Sequence, residues 1–115
     1  MNPIKHSERY HFKKIDLVDR LAVQEVVKSY RPHAVIHLAA ESHVDNSIHG
    51  PEPFIQSNVV GTFNILEECR QLWMQEPEEF AGARFLHVST DEVYGELEED
   101  GYFTEQSPYA PNSPY

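Results

Sequence analysis

The stretch that decides the fold is "HAVIHLAA", residues 33–40. It is nearly continuous in apolar side chains and holds two β-branched ones, with no apolar–polar alternation. A strand with one wet face alternates, whereas a run of this kind suits a strand covered on both faces, as in a parallel sheet. A strand is predicted over 33–40, followed by a polar loop, "ESHVDNSIHGPEP" (41–53). Upstream, "DRLAVQEVVKSY" (19–30) has helical spacing. Asp19 is a good N-cap, Leu21, Val23, Val26, Val27 and Tyr30 form the apolar side, and Pro32 stops the helix. Before it, "RYHFKKID" (9–16) alternates weakly and predicts another strand.

Downstream, Ile55, Val59, Thr62, Leu66, Cys69 and Trp73 recur at helical spacing and predict a long helix over 54–74. Gly61 sits inside it, at a cost of up to about 1 kcal/mol against alanine. A close packing contact is expected to justify it. "RFLHVS" (84–89) predicts a third strand, and residues 90–115, rich in Pro and Ser, read as loop. Strand, helix, strand, helix, strand implies right-handed crossovers and an α/β fold with a parallel sheet. Ligands of such sheets sit beyond the carboxyl ends of the strands. The polar clusters 16–19, 41–46 and 89–95 all fall there.

The formal charge is −10, from 9 basic and 19 acidic residues in 115. That disfavours binding to nucleic-acid phosphates or an anionic membrane surface. The acidic runs "QEPEEF" (75–80) and "GELEEDG" (95–101) read as solvated loops. A single cysteine, Cys69, excludes an intrachain disulfide, and its place in the helical pattern makes it a core residue. With no long apolar span and a polar first decapeptide, the chain is expected to be soluble and cytoplasmic.

The candidate chemistry is in "VSTDEVYG" (88–95). Two adjacent carboxylates, Asp91 and Glu92, can divide acid and base roles if their environments differ. The hydroxyl of Thr90 can hold a substrate oxygen. On spacing alone an Asp after a strand is more often a cap than a catalyst. Asp16, at the end of the first predicted strand, can reach an adenine or cap the next helix, and spacing favours the cap. His37 and His87 fall within strands and read as packed, hydrogen-bonded core. Only His43, in the rim loop, stands apart. The spacing of His and Cys matches no metal-site pattern, so no metal is expected. Phe54, Phe63, Trp73 and Phe85 are expected in the core.

Together "IDLVD" (15–19), "HLAAESHVDNSI" (37–48), "FIQSNVVGTFNILE" (54–67), "VSTDEVYG" (88–95) and "FTEQSPYAPNSPY" (103–115) resemble the extended short-chain dehydrogenase/reductase family. Within it, the NAD-dependent nucleotide-sugar dehydratases are most similar. The resemblance implies a partial Rossmann-like doubly wound parallel sheet, in which 9–16, 33–40 and 84–89 stand for strands 3, 4 and 5. It implies NAD as cofactor, with Asp16 and Leu17 against the adenine. Leu38, Ala39, Ala40, Glu41 and Ser42 would lie along the cofactor, with Ser57 touching it from the long helix. Thr90, Asp91, Glu92 and Tyr115 match catalytic positions, Tyr115 also lying beside the cofactor. Ser42 and Thr90 are implied substrate contacts. The implied substrate is dTDP-glucose, and the implied assembly is a homodimer through the long helix.

The family's glycine-rich first turn is expected before residue 1, and the lysine partner of Tyr115 is expected beyond it. The chain therefore reads as an internal fragment, with strands 1 and 2 missing and Met1 not the native start. By itself it is expected to be marginally stable, aggregation-prone and inactive. The alternatives are another NAD-dependent nucleotide-sugar epimerase or dehydratase, or a truncated, non-catalytic remnant. The Asp91–Glu92 pair speaks against an epimerase, which needs no acid–base pair at C5 and C6.

Overall fold

The computed structural model describes residues 3–97 and 100–115. Helix α1 (Arg20–Tyr30) starts where expected, with the Asp19 carboxylate accepting from the Ala22 N–H at 3.2 Å. It ends at Arg31, whose φ of 47° is left-handed and whose N–H reaches the Val27 carbonyl. Strand β1 (Ala34–His37) follows, then α2 (Val44–His49), α3 (Glu52–Phe54), a π-helical stretch (Ile55–Gly61), α4 (Thr62–Gln75) and β2 (Arg84–His87). The loop expected over 41–53 thus carries a short helix. The Ser47 hydroxyl donates back to the Val44 carbonyl at 2.5 Å, and Gly50 closes the helix.

Strands β1 and β2 pair in parallel, Ala34 opposite Arg84 and His37 opposite His87. Both are shorter than predicted, and they form a two-stranded parallel sheet. The segment 9–16 forms no strand. A strand exists only as part of a ladder, and no described strand lies alongside this segment. Its side chains turn to α1 instead, His11 meeting Tyr30 at a ring distance of 5.3 Å.

Helices α1 and α4 pack together over one face of the sheet. Val23, Val27, Cys69, Leu72 and Phe80 form the buried cluster, flanked by Val35, Trp73 and Phe85. Burial pushes the Cys69 thiol up to about 11, which keeps it a protonated core residue. The Trp73 indole donates to the Pro32 carbonyl at 2.8 Å, tying α4 to the entrance of β1. Arg31 lies over the Phe80 ring and pairs with Glu76 and Glu79. Bonding to Glu76 and Glu79 raises the Arg31 pKa, and the bond from Arg31 lowers that of Glu76. The acidic run 75–80 is therefore exposed yet partly paired. In the run 95–101, Glu96, Asp100 and Gly101 are exposed, while Glu98 and Glu99 lie outside the described residues.

Several core expectations need correction. Leu21 and Tyr30 of α1 are exposed, at 77% and 42%. On the long helix, Ile55, Val59, Phe63 and Leu66 point outward, and Asn64 and Glu68 take the buried face. These polar side chains tolerate burial because each is bonded. Asn64 donates to the carbonyls of Leu17 and Val18 at 2.8 and 3.2 Å. Glu68 accepts from Arg20 at 3.1 Å and from Gln24 at 3.4 Å. Phe63 instead sits outside, under the Arg20 guanidinium. The sheet, expected to be covered on both faces, is covered by described residues on one only, leaving Ile36 and Leu86 exposed. His87 is exposed as well, stacked on the buried His37.

Gly61 answers the expectation of a close contact. A Cβ there would lie 3.1 Å from the Leu17 Cβ. Asn64, one helical turn on, bonds the same loop. Replacing Asn64 with alanine leaves two backbone carbonyls without this donor and should cost about 1–3 kcal/mol. Chemical denaturation checks this; a variant as stable as the parent would show that water replaces the side chain fully.

Candidate active site

The carboxyl ends of β1 and β2 open onto two neighbouring cavities. The first, about 570 Å³, is lined by Lys14 to Leu17, Ala39 to Glu41 and Ser57. The second, about 320 Å³, is lined by Leu38, Ala39, Ala40, Ser42, Thr90 and Tyr115, with Asn58, Thr62 and His87 among others. Ala39 and Ala40 border both. All the residues expected along a cofactor, Asp16, Leu17, Leu38 to Ser42, Ser57 and Tyr115, thus fall on one of two adjoining cavities.

The turn before α1 builds the first cavity. Asp16 does not cap α1, as spacing had favoured; Asp19 does. The Asp16 carboxylate instead accepts from the Val18 N–H at 3.0 Å, and its carbonyl accepts from the Asp19 N–H at 3.0 Å. The loop 38–43 is held from the π-helical stretch. The Asn58 side chain accepts from the Glu41 N–H at 2.8 Å and donates to the Glu41 carbonyl at 3.0 Å. His37 Nε2 lies 2.8 Å from the Thr62 hydroxyl, which lines the second cavity. Burial, and secondarily the neighbouring His87, lowers the His37 pKa.

After β2 the chain makes a 3-10 turn, Asp91–Tyr94. Thr90 caps it, its hydroxyl oxygen accepting from the Glu92 N–H at 3.3 Å, and the hydroxyl lies 3.4 Å from Asp91 Oδ1. Asp91 is exposed and Glu92 half-buried, so the two carboxylates do sit in different surroundings. Asp91 lines a third cavity of about 610 Å³ that shares Ser89, Thr90 and Val93 with the second. Glu92 lines none of the three. Tyr115 returns to the site across 25 positions of sequence from Thr90, its ring edge-on to Phe54 at 6.3 Å. His43 is exposed and lines none of these cavities. Among the described residues no group of three His, Cys, Asp or Glu is placed to hold a metal ion.

Reading the sequence missed Asn58, Thr62 and Asn64. Their signal was present: Ser57, Asn58 and Asn64 interrupt a helix otherwise read as apolar, and Thr62 carries a hydroxyl within its apolar series. A polar residue on a core-facing helix needs a partner, and here the partners are the turn at 16–19, the loop after β1 and His37 of β1 itself.

The profile of the family described as GDP-mannose 4,6 dehydratase matches residues 1–115. A dTDP-glucose 4,6-dehydratase of Neisseria meningitidis is 52% identical over 117 residues, covering all of this chain and 33% of the relative. One from Escherichia coli is 46% identical, again over the whole chain and 34% of the relative. The chain thus spans about a third of the length of these curated relatives. Among solved structures, the dTDP-glucose 4,6-dehydratase DesIV of Streptomyces venezuelae, with NAD bound, superposes with a TM-score of 0.77. It is 39% identical, covering 98% of this chain and 32% of its own. The UDP-Glc/GlcNAc 4-epimerase of Campylobacter jejuni gives a TM-score of 0.79 at 30% identity, covering 94% of this chain and 30% of its own. The α/β scaffold, its parallel strands and a profile that runs the full length agree, and the chain belongs to the GDP-mannose 4,6 dehydratase family.

Proposed function

We propose that this chain is the cofactor-binding and catalytic part of an NAD-dependent dTDP-glucose 4,6-dehydratase, a hydro-lyase forming dTDP-4-keto-6-deoxyglucose and water. One observation carries the reading: Thr90 and Tyr115, far apart in sequence, share a cavity with Leu38, Ala39, Ala40 and Ser42, and Asp91 and Glu92 follow Thr90 directly. Relatives about half identical over the whole chain support the choice of substrate.

The two adjoining cavities suit a long, two-ended dinucleotide. Asp16, Leu17 and Ser57 would hold its adenosine end, and Leu38, Ser42 and Tyr115 its nicotinamide end. When bound, NAD would supply the acceptor for the C4 hydride and the source of the hydride returned to C6. The chain's own groups do the rest. Tyr115 is the base that removes the proton of the sugar's C4 hydroxyl, and Thr90 holds that oxygen. The C4 ketone acidifies the C5 proton, which Glu92 takes. Asp91 protonates the departing C6 hydroxyl, releasing water, and Glu92 returns its proton to C5 to give the 6-deoxy product. Each positioned acid or base is worth about 10² to 10⁴-fold.

The first assay is the full-length protein with dTDP-glucose and NAD, followed by mass spectrometry. Loss of one water is the expected result. A product of unchanged mass with inverted C4 would make the protein an epimerase instead. Glu92→Gln should lower turnover by about 10² to 10⁴-fold and abolish solvent hydrogen exchange at C5, with NAD binding retained. Normal turnover of this variant would remove Glu92 from the mechanism.

The assembly follows from the outward side of the long helix. Ile55, Val59, Phe63, Leu66 and Met74 are 45–66% exposed at spacings that keep them on one side. This apolar stripe supports a homodimer in which two copies pair their long helices. Leu66→Glu should convert the full-length protein from dimer to monomer in light scattering; a dimer that persists would place the interface elsewhere.

The bare sheet face supports one more reading. Ile36, Leu38, Leu86 and Val88 are 46–68% exposed, so the 115 residues alone should melt without cooperativity and show no turnover. A sharp calorimetric transition of the isolated chain would refute it.

A further inference from the structure

Residues 103–115 form no helix or strand, yet the segment is fastened near its middle. The Ala110 N–H donates to the Val93 carbonyl at 2.9 Å. Tyr94 stacks on Phe103 at 5.1 Å and meets Tyr109 at 5.6 Å. The next residue, Gly95, closes the 3-10 turn with its N–H on the Glu92 carbonyl at 3.1 Å. Its φ is +84°, and a Cβ there would lie 2.3 Å from the Ala110 carbonyl oxygen. Glycine is therefore required twice, by the dihedral angle and by the approach of another backbone. Beyond the fastening, Pro111 and Pro114 restrict their own φ and the residue before each. The direction set at Ala110 is thus carried to Tyr115, which lines one cavity with Thr90 and Val93.

We propose that Gly95 and the Ala110–Val93 hydrogen bond form a latch that fixes Tyr115 relative to Thr90 and the Asp91–Glu92 pair. Gly95 is then a positioning residue, acting through Ala110 and Tyr115 on the reaction. The chemical part rests on the dehydratase reading above; the latch itself is a matter of geometry. It explains how a segment without a ladder delivers a side chain to a site built by β1 and β2. The turn that presents the carboxylates also anchors the chain that presents the tyrosine, so the three groups move as one body. Gly82 and Gly101, where a Cβ would meet nothing within 4 Å, serve no such purpose.

The test nitrates the full-length protein with tetranitromethane and quantifies each tyrosine by mass spectrometry. Gly95→Ala and Ala110→Pro break the latch from opposite sides, the second leaving the turn sequence intact. Gly101→Ala is the control. Tyr115 should be nitrated several-fold faster in both latch variants, with Tyr102, 93% exposed, unchanged. Equal Tyr115 nitration in all forms overturns the latch. Kinetics then separate positioning from general damage. Gly95→Ala should slow hydride transfer by about 10²-fold, and added to Tyr115→Phe it should cost nothing more, because both act through the same group. Losses that multiply in the double variant overturn the positioning role. Full turnover by Tyr115→Phe alongside faster nitration in the latch variants would sink the dehydratase role of Tyr115 and support the latch as structure.

Discussion

The site depends on how closely the long helix approaches the turn at 16–19. Gly61 and Leu17 come together at a distance that leaves a Cβ only 3.1 Å of room. A residue with a Cβ would require Leu17 to give by a few tenths of an ångström. With the gap closed, Asn64 reaches the Leu17 and Val18 carbonyls, and Asp19 starts α1 directly afterwards. The same turn of chain thus ends the wall of one cavity and begins the helix that packs on α4. Core and site share this junction, so a change at Gly61 or Asn64 acts on both.

The π-helical stretch does the corresponding work on the other side. Such stretches are uncommon and are frequent at functional sites. Here the stretch holds Ser57 and Asn58, and Thr62 follows it at once. Ser57 lines the first cavity, Asn58 grips the Glu41 backbone with two hydrogen bonds, and Thr62 meets His37 at the floor of the second. One helix therefore fixes both the end of β1 and the loop that follows it. It does so with polar side chains that an apolar helix face would not supply.

That division marks what was legible in the sequence. Asp19, Pro32 and the runs at 33–40 and 84–89 gave the helix start and the parallel pairing, because caps and apolar runs act locally. The 9–16 strand was misread because a ladder needs a neighbour, which local alternation does not supply. The burial of the long helix was misread because Asn64 and Glu68 are satisfied by residues more than forty positions away. Local periodicity cannot see such partners, so Ile55, Val59 and Leu66 looked like the core side. Of the site, Thr90, Ser42 and Tyr115 could be named through the family resemblance; their meeting in one cavity could not be read from spacing. The glycine at 95 belongs with the unread part, since its reason is a carbonyl fifteen positions on.

The backbone by itself does not choose the reaction. An epimerase superposes with a TM-score of 0.79 and a dehydratase with 0.77, a difference too small to separate them. Fold similarity of this kind leaves function open. The distinction lies in which groups surround the sugar. Oxidation at C4 needs a base and a hydride acceptor in either reaction. Removing water across C5 and C6 needs two further proton-transfer groups on the same sugar. The 3-10 turn supplies two carboxylates in succession, and with about three residues per turn their side chains diverge. One is left exposed and the other half-buried. Two carboxylates in unlike surroundings are what an acid–base pair requires, and the proposed elimination rests on this pair, of which Asp91 borders a cavity and Glu92 does not.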